Sequence, residues 1–257
     1  MKYKTVAYKG SKRKLLTDIE AIANDIGART IFDGFSGTGI VSAHLRHKGF
    51  QVDANDISES AYIFGSVFLQ GYNEDKVKNL VAKMNNLNPV QGWLTENYSG
   101  TQKRVIRGTG GEIQERPLGY TPHNAMKLDA AREYIEGLSI QEEDKRALIF
   151  SVILGADSVF NNSNDQKSSL KDWQTKSLRE VVFQAPTLVT GFDGIQYKGN
   201  ILEANVGSYD MVYLDPPYTH GVLYDSCYHL SDSIATWEKP ALDYDYALPR
   251  PKSICYR

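Results

Sequence analysis

At 257 residues with 41% hydrophobic content, the chain can bury one sizeable α/β core or a core carrying an insertion. Its formal net charge of −2 speaks against a protein that coats nucleic acid by bulk charge, but leaves room for one basic cleft. No apolar run approaches a membrane span, and the basic start MKYKTVAYKGSKRKLL lacks the apolar stretch of a signal peptide. Cys227 and Cys255 make neither a metal spacing nor a disulfide framework, so a reducing cytoplasm and no metal are expected. A monomer is the expectation for the chain.

In chain order, Lys2, Lys4, Lys9, Lys12, Arg13 and Lys14 form a basic end with no acid among them. A solvated terminus is the plain alternative. However, Gly10 and Ser11 stand before a helix-like run, LLTDIEAIANDI, and backbone N–H groups at a helix start can hold a carboxylate. Thr30-Ile31-Phe32-Asp33 then reads as a strand, Gly34-Phe35-Ser36-Gly37-Thr38-Gly39 as a glycine turn, and IVSAHLRHKG as a helix. A second strand, Phe50 to Asp56, ends in an acid placed where such folds bind ribose hydroxyls. Capping the next helix, ISESAYIFGSVFLQ, is the plain alternative for Asp56, and the two roles are not exclusive.

From residue 72 to about 190 the strand–helix alternation stops. NEDKVKNLVAKMNNL, NAMKLDAAREYIEGL and EEDKRALIFSVILGADSVF read as helices, the last one buried. Asn97 to Pro122 reads as a long glycine-rich segment carrying Lys103, Arg104, Arg107 and Arg116, and SVFNNSNDQKSS as a polar loop. The glycine-rich segment is either a mobile surface loop or one that orders on DNA, with arginines for phosphates or guanine edges. Gly194 to Leu202 returns to strand-like alternation, where Asn200 is either a turn asparagine or a ligand contact.

Tyr209 to Leu214 reads as a short buried strand running into Asp215-Pro216-Pro217-Tyr218. Neither proline can donate to a ladder, so the chain leaves the sheet stiffly with a carboxylate and an aromatic ring at the strand's carboxyl end. That set suits an exocyclic base amine, whose lone pair is delocalised into its ring. Asp215 and the Pro216 carbonyl can accept its two N–H bonds and return electron density to nitrogen, while Tyr218 stacks on a base taken out of the duplex.

DPPY together with FSGTG resembles the DNA amino-methyltransferases that modify adenine N6. The order of glycine loop, insert and DPPY resembles the alpha group of that family. The resemblance runs from about Lys4 to Trp237 and includes GYTPHNA, Ala156-Asp157…Asn161 and Leu170-Lys171-Asp172-Trp173 of the insert. It implies an open Rossmann-like, S-adenosylmethionine-dependent α/β sheet formed by residues 1–71 and 191–257. Residues 72–190 would be an inserted, mostly helical target-recognition region. It further implies Tyr8, Lys12, Asp33, Phe35, Gly37, Gly39, Asp56, Asn200, Ile201 and Asp215 at the cofactor; Asp215, Pro216, Pro217 and Tyr218 at the reacting base; and Lys103, Arg104, Arg107 and Arg116 on DNA. Double-stranded DNA is the implied partner, alongside a restriction endonuclease of the same site. Cytosine N4, which uses a similar pocket, stays open as a rival, and glutamine methylation as a lesser one, since it favours Asn at the first motif position and lacks a large insert. A non-catalytic remnant stays open because the family's closing strands have no counterpart in the proline-rich tail after Trp237. On that basis the DPPY strand is expected at a sheet edge. His229 is expected to be a structural hydrogen-bonder rather than a base.

Overall fold

A computed structural model describes residues 3–6, 10–105, 112–162, 170–217, 225–244 and 248–252, without the side chains of residues 104, 105 and 225–227. In chain order the first elements are α1 (Leu16–Asp25), β1 (Thr30–Asp33), α2 (Ile40–His47), β2 (Gln51–Asp56) and α3 (Glu59–Gln70). Then come α4 (Glu74–Asn85), α5 (Trp93–Tyr98), β3 (Thr101–Val105), β4 (Ile113–Pro117), α6 (Pro122–Glu136) and α7 (Glu142–Val159). The last are β5 (Gln196–Lys198), β6 (Met211–Tyr213), α8 (Asp225–Thr236), β7 (Leu242–Asp243) and β8 (Arg250–Pro251). No helix among the described residues is long and apolar enough to cross a membrane.

Four parallel strands make the central sheet, in the order β5-β2-β1-β6. The chain moves outward from β1 through β2 to β5, then returns to pair β6 on the other side of β1. The crevice beyond the carboxyl ends of β1 and β6 is therefore a topological switch point, where open α/β sheets bind ligands. β6 is the edge strand of this sheet among the described residues, as expected for the DPPY strand. It is shorter than Tyr209–Leu214 and half-buried rather than buried, and the residues before it tie it to its neighbours. Tyr209 Oη donates to Asp53 Oδ2 at 2.6 Å. Asp210 accepts from the N–H groups of Arg29 and Thr30 at the start of β1.

Alternation along β1 sends Ile31 and Asp33 to one face and Phe32 to the other. The first face is covered by α2, where Ser42 bonds Asp33, and by α3. α7 packs outside α3, with the Phe150 ring 4.6 Å from Phe64 and 5.3 Å from Phe68. Apolar burial is thus continuous from the sheet into the helices of residues 72–190. On the opposite face Phe32 packs against Tyr209 with the rings tilted and their centroids 5.0 Å apart.

Helix starts follow local chemistry. Ser58 caps α3 through Ala61 N, Asn73 caps α4 through Lys76 N, and Thr121 with Pro122 opens α6. The helices expected over residues 72–159 are present. In part of the stretch read as a glycine-rich loop, the structure instead shows an antiparallel hairpin, β3–β4, with Thr101 opposite Pro117 and Val105 opposite Ile113. The polar loop expected from Ser158 also differs at its start. Ser158 and Val159 complete α7, and Phe160, Asn161 and Asn162 are buried.

Residues 170–190 have no regular partner strand, and buried side-chain amides serve as one. Asn161 accepts from Gln174 N and donates to Asp172 O; Asn124 accepts from Val181 N and donates to Arg179 O; Asn85 both donates to and accepts from the Phe183 backbone. The tail after Trp237 is also more ordered than its composition suggests. β7 and β8 pair, Leu242 and Leu248 are buried, and the Pro249 carbonyl accepts from Tyr98 Oη at 3.0 Å and meets His229 Nε2 at 3.1 Å. His229 is thus the structural hydrogen-bonder its position suggested.

Candidate active site

The site lies where β1, β2 and β6 end. After Asp33 the backbone turns sharply, with Gly37 at φ 50° and Gly39 at φ 70°, conformations that disfavour a side chain. The turn is locked to its neighbours: Gly34 N donates to Tyr213 O at 2.9 Å and Ser36 N to Asn55 O at 3.0 Å. Gly34 is also a close approach, since a Cβ there would lie 2.7 Å from Leu214 Cδ2 and 2.9 Å from Ile201 Cδ1.

Asp56 binds the turn directly. Its Oδ2 accepts from Gly37 N at 2.8 Å and its Oδ1 from Ser58 N at 3.0 Å. The cap of α3 is Ser58 rather than Asp56, which leaves the carboxylate to organise the loop. Burial raises the Asp56 pKa, and the Ser58 and Gly37 N–H groups work against that rise. Asp33 is more deeply enclosed. Ser42 Oγ donates to its Oδ2 at 2.6 Å, while Oδ1 is buried with no hydrogen-bond partner. Burial pushes the Asp33 carboxyl up to about 7, with the Asp56 and Asp215 charges adding to the rise and the Ser42 bond opposing it.

Across the crevice, Asp215 is partly buried and Pro216 and Pro217 are exposed. Lys12 Nζ lies 2.5 Å from Asp215 Oδ2, which brings the N-terminal basic segment to the DPP turn. Burial, then the Asp215 and Asp33 charges, push the Tyr213 phenol up to about 12, so it stays neutral. Asn200 is exposed and caps the 3-10 turn Ile201–Glu203 by accepting from Leu202 N at 3.1 Å; Ile201 is half-buried over Gly34.

The structure therefore brings together Lys12, Asp33, Phe35, Gly37, Asp56, Ile201 and Asp215 where β1, β2 and β6 end, with Asn200 at the margin; Gly39 belongs to the same turn but faces inward, against Phe68 and Gly65 of α3. Tyr8, Arg107 and Tyr218 lie outside the described residues, as does the side chain of Arg104. Lys103 and Arg116 sit on the hairpin but not on one face of it. Lys103 is opposite Glu115, and Arg116 is opposite Gln102.

Three supporting residues escaped the sequence reading. Gln196 Nε2 donates to Ser36 Oγ at 3.2 Å and packs where Gly65 has no Cβ. Asn55 Nδ2 donates to Gly199 O at 3.0 Å. Asp232 of α8 accepts from Ser58 Oγ at 2.8 Å and Ser60 N at 2.9 Å, which braces the loop after Asp56. Gly65 inside a helix and a polar Gln196 starting a strand were the visible signals.

The family model of D12 class N6 adenine-specific DNA methyltransferases matches residues 8–248. The type II methyltransferase M.NlaIII of Neisseria lactamica is 29% identical over 244 residues, covering 90% of this chain and 69% of that protein. Modification methylase LlaI of Lactococcus lactis subsp. lactis is 26% identical over 248 residues, 91% of this chain and 39% of that protein. The type II methyltransferase M.CviAII of Paramecium bursaria Chlorella virus 1 is 26% identical over 227 residues, 83% of this chain and 64% of that protein. The chain thus spans between 39% and 69% of the lengths of these relatives.

Proposed function

The chain belongs to the D12 class N6 adenine-specific DNA methyltransferase family, and on that premise we propose that it methylates adenine N6 in double-stranded DNA at a specific site. The observation that carries the reading is the convergence of the glycine loop, Asp56 and Asp215 on one switch-point crevice. The modification and type II names of its relatives support a place in a restriction–modification pair, acting in the cytoplasm beside an endonuclease of the same site.

S-adenosylmethionine, when bound, supplies a methyl group on a positively charged sulfur. The donor set fits it. Asp33 offers a buried, unpartnered carboxylate oxygen to a cationic amine, and Asp56 offers remaining lone pairs to ribose hydroxyls. The Gly37–Gly39 turn lets the backbone come close, Ile201 gives an apolar wall, and Phe35, Asn200, Tyr8 and Lys12 complete the lining.

At the target base, Asp215 accepts one N–H of the exocyclic amine and the Pro216 carbonyl accepts the other, so the nitrogen lone pair localises. Tyr218 stacks on the flipped ring, and Pro217 stiffens the turn that holds all three. Holding amine and methyl group in line supplies much of the rate. The amine's surplus proton leaves to water, so the chain needs no separate base. Residues 72–190 read the DNA, with Lys103, Arg104, Arg107 and Arg116 of the hairpin region on phosphates or guanine edges.

The test is transfer of labelled methyl from S-adenosylmethionine to unmethylated DNA, followed by nucleoside analysis. Label recovered as N6-methyladenine is the expected result. Label as N4-methylcytosine would move the chemistry to the other base. Cofactor binding with no transfer would favour a remnant that binds without turnover.

A further inference from the structure

Asp215 is held differently from the other carboxylates of the crevice. Backbone N–H groups fix both oxygens of Asp56, and Ser42 fixes Asp33 inside the core. Asp215 follows an edge strand and precedes two prolines. Among the described residues its one ion-pair or hydrogen-bond partner is Lys12, with Nζ 2.5 Å from Oδ2. Both side chains are 17% exposed, so water screens the pair incompletely.

Lys12 is itself well placed to act as an anchor. Its Nζ also donates to Gly10 O at 3.0 Å, and Leu15 N closes the turn onto Lys12 O at 2.8 Å. The next residue, Arg13, ties that turn to Tyr3 O at 2.7 Å and Thr5 Oγ1 at 2.8 Å. Tyr3 is buried against His47 and Phe68, so the tether reaches the helices behind the sheet.

We propose that Lys12 is a positioning residue for methyl transfer, acting through Asp215. The ammonium holds Oδ2, and Oδ1 keeps its lone pairs for an N–H of the target amine. This inference rests on the reading of Asp215 as the acceptor of that amine. It assigns Lys12 a role beyond lining the cofactor site.

The chemistry gives Lys12 no proton to move. The N6 lone pair forms the new N–C bond, the S–C bond breaks with its electron pair left on sulfur, and a proton departs from N6 to water. Lys12 remains an ammonium throughout. What it contributes is direction: a carboxylate at the end of an edge strand can turn about its side-chain bonds, and a misplacement of about 1 Å costs on the order of 100-fold in rate.

The experiment compares Lys12→Met and Lys12→Arg with the wild-type chain. It measures single-turnover transfer to unmethylated DNA at saturating S-adenosylmethionine and, separately, cofactor affinity without DNA by calorimetry. The expected result is a rate loss on the order of 100-fold for Lys12→Met that persists at saturating cofactor, larger than whatever weakening of cofactor Kd the loss of a lining residue brings. Lys12→Arg, which keeps the charge, should recover at least about tenfold of that loss. In an Asp215→Asn background, Lys12→Met should lower the residual rate by less than about threefold, because the group it acts through is already altered.

A cofactor Kd that weakens in step, with the rate restored at saturation, would overturn the inference in favour of a cofactor ligand. A faster Lys12→Met enzyme would overturn it in favour of a lysine that blocks the base site. Full rate in Lys12→Met alongside an inactive Asp215→Ala would overturn this inference alone. An Asp215→Ala enzyme with full rate would overturn the reading of the site as well. Thermal melting checks folding, and Lys12→Gln takes the place of the Met variant if that one unfolds.

Discussion

The two walls of the crevice are built to different standards. On the β1–β2 side, Ser36, Gly37 and both oxygens of Asp56 are tied by hydrogen bonds among themselves and their neighbours, and Gly34 N reaches across to Tyr213 O. On the β6 side, Leu214 is 56% exposed, the prolines stand in solvent, and Asp215 is tethered to Lys12. The first wall is pre-formed; the second leaves room for a base to arrive. A small cofactor gains from a rigid cradle, because little ordering cost remains on binding. A flipped nucleotide must enter from outside, which an exposed strand edge permits and a closed core does not.

The largest effect that could break this contrast is on the open wall. Asp215→Ala should lower single-turnover transfer by on the order of 10³-fold. Cofactor binding should remain measurable by calorimetry. Retained transfer would remove the carboxylate from the chemistry.

The closed wall should show itself in stability. The Asp33 carboxyl titrates at about 7 in the folded chain against an ordinary value of 3.8. Between those values the folded chain holds a proton that the unfolded chain has lost. Asp33's contribution to stability therefore falls as pH rises from about 4 to about 7 and is level above that. Asp33→Asn should match wild type near pH 4 and exceed it at pH 8 by about 2 to 4 kcal/mol. Urea unfolding at the two pH values reads the difference, and an equal offset at both would mean the buried carboxyl does not titrate in this range. The same variant should bind S-adenosylmethionine less well, since stability is gained where a functional charge is lost.

A smaller loss belongs to Asp56. Its removal strands the N–H groups of Gly37 and Ser58 and takes away the proposed ribose acceptor. Asp56→Ala should weaken the cofactor by about 10- to 100-fold, with transfer at saturating cofactor little changed. An unaltered Kd by calorimetry would separate Asp56 from the cofactor and leave it a purely structural tie.

The closed wall was legible in the sequence and the open one only in part. A strand, a glycine turn and a strand ending in an acid are local demands, so Thr30 to Asp56 announces itself residue by residue. DPP likewise shows where a strand must stop. The partners that complete the site come from far along the chain, and periodicity carries no sign of them. Lys12 meets Asp215, Gln196 meets Ser36, and Asp232 meets Ser58. The same limit hid the order of residues 170–190, whose backbone is paired by Asn85, Asn124 and Asn161 rather than by a strand. In β3–β4 the signal was present but faint. TQKRV and IQERP can alternate as strands, yet their charge and the glycines between them favour a loop on composition.

That hairpin sets the smallest effect and tests how far the open wall extends. Lys103 is exposed opposite Glu115, and Arg116, half-buried, donates to Gln114 Oε1 at 3.1 Å and lies opposite Gln102. The two cations therefore project from opposite faces of one two-stranded ribbon, and a single row of phosphates cannot meet both equally. If the hairpin lies along DNA by one face, only one of Lys103→Ala and Arg116→Ala should reduce the salt slope of binding, by about one unit. If it enters a groove edge-on, both should, because each face then meets a phosphate row. Slopes measured on unmethylated duplex by fluorescence anisotropy separate the two cases. An unchanged slope in both variants would take the hairpin off the DNA and confine the proposed interface to the crevice and the rest of residues 72–190.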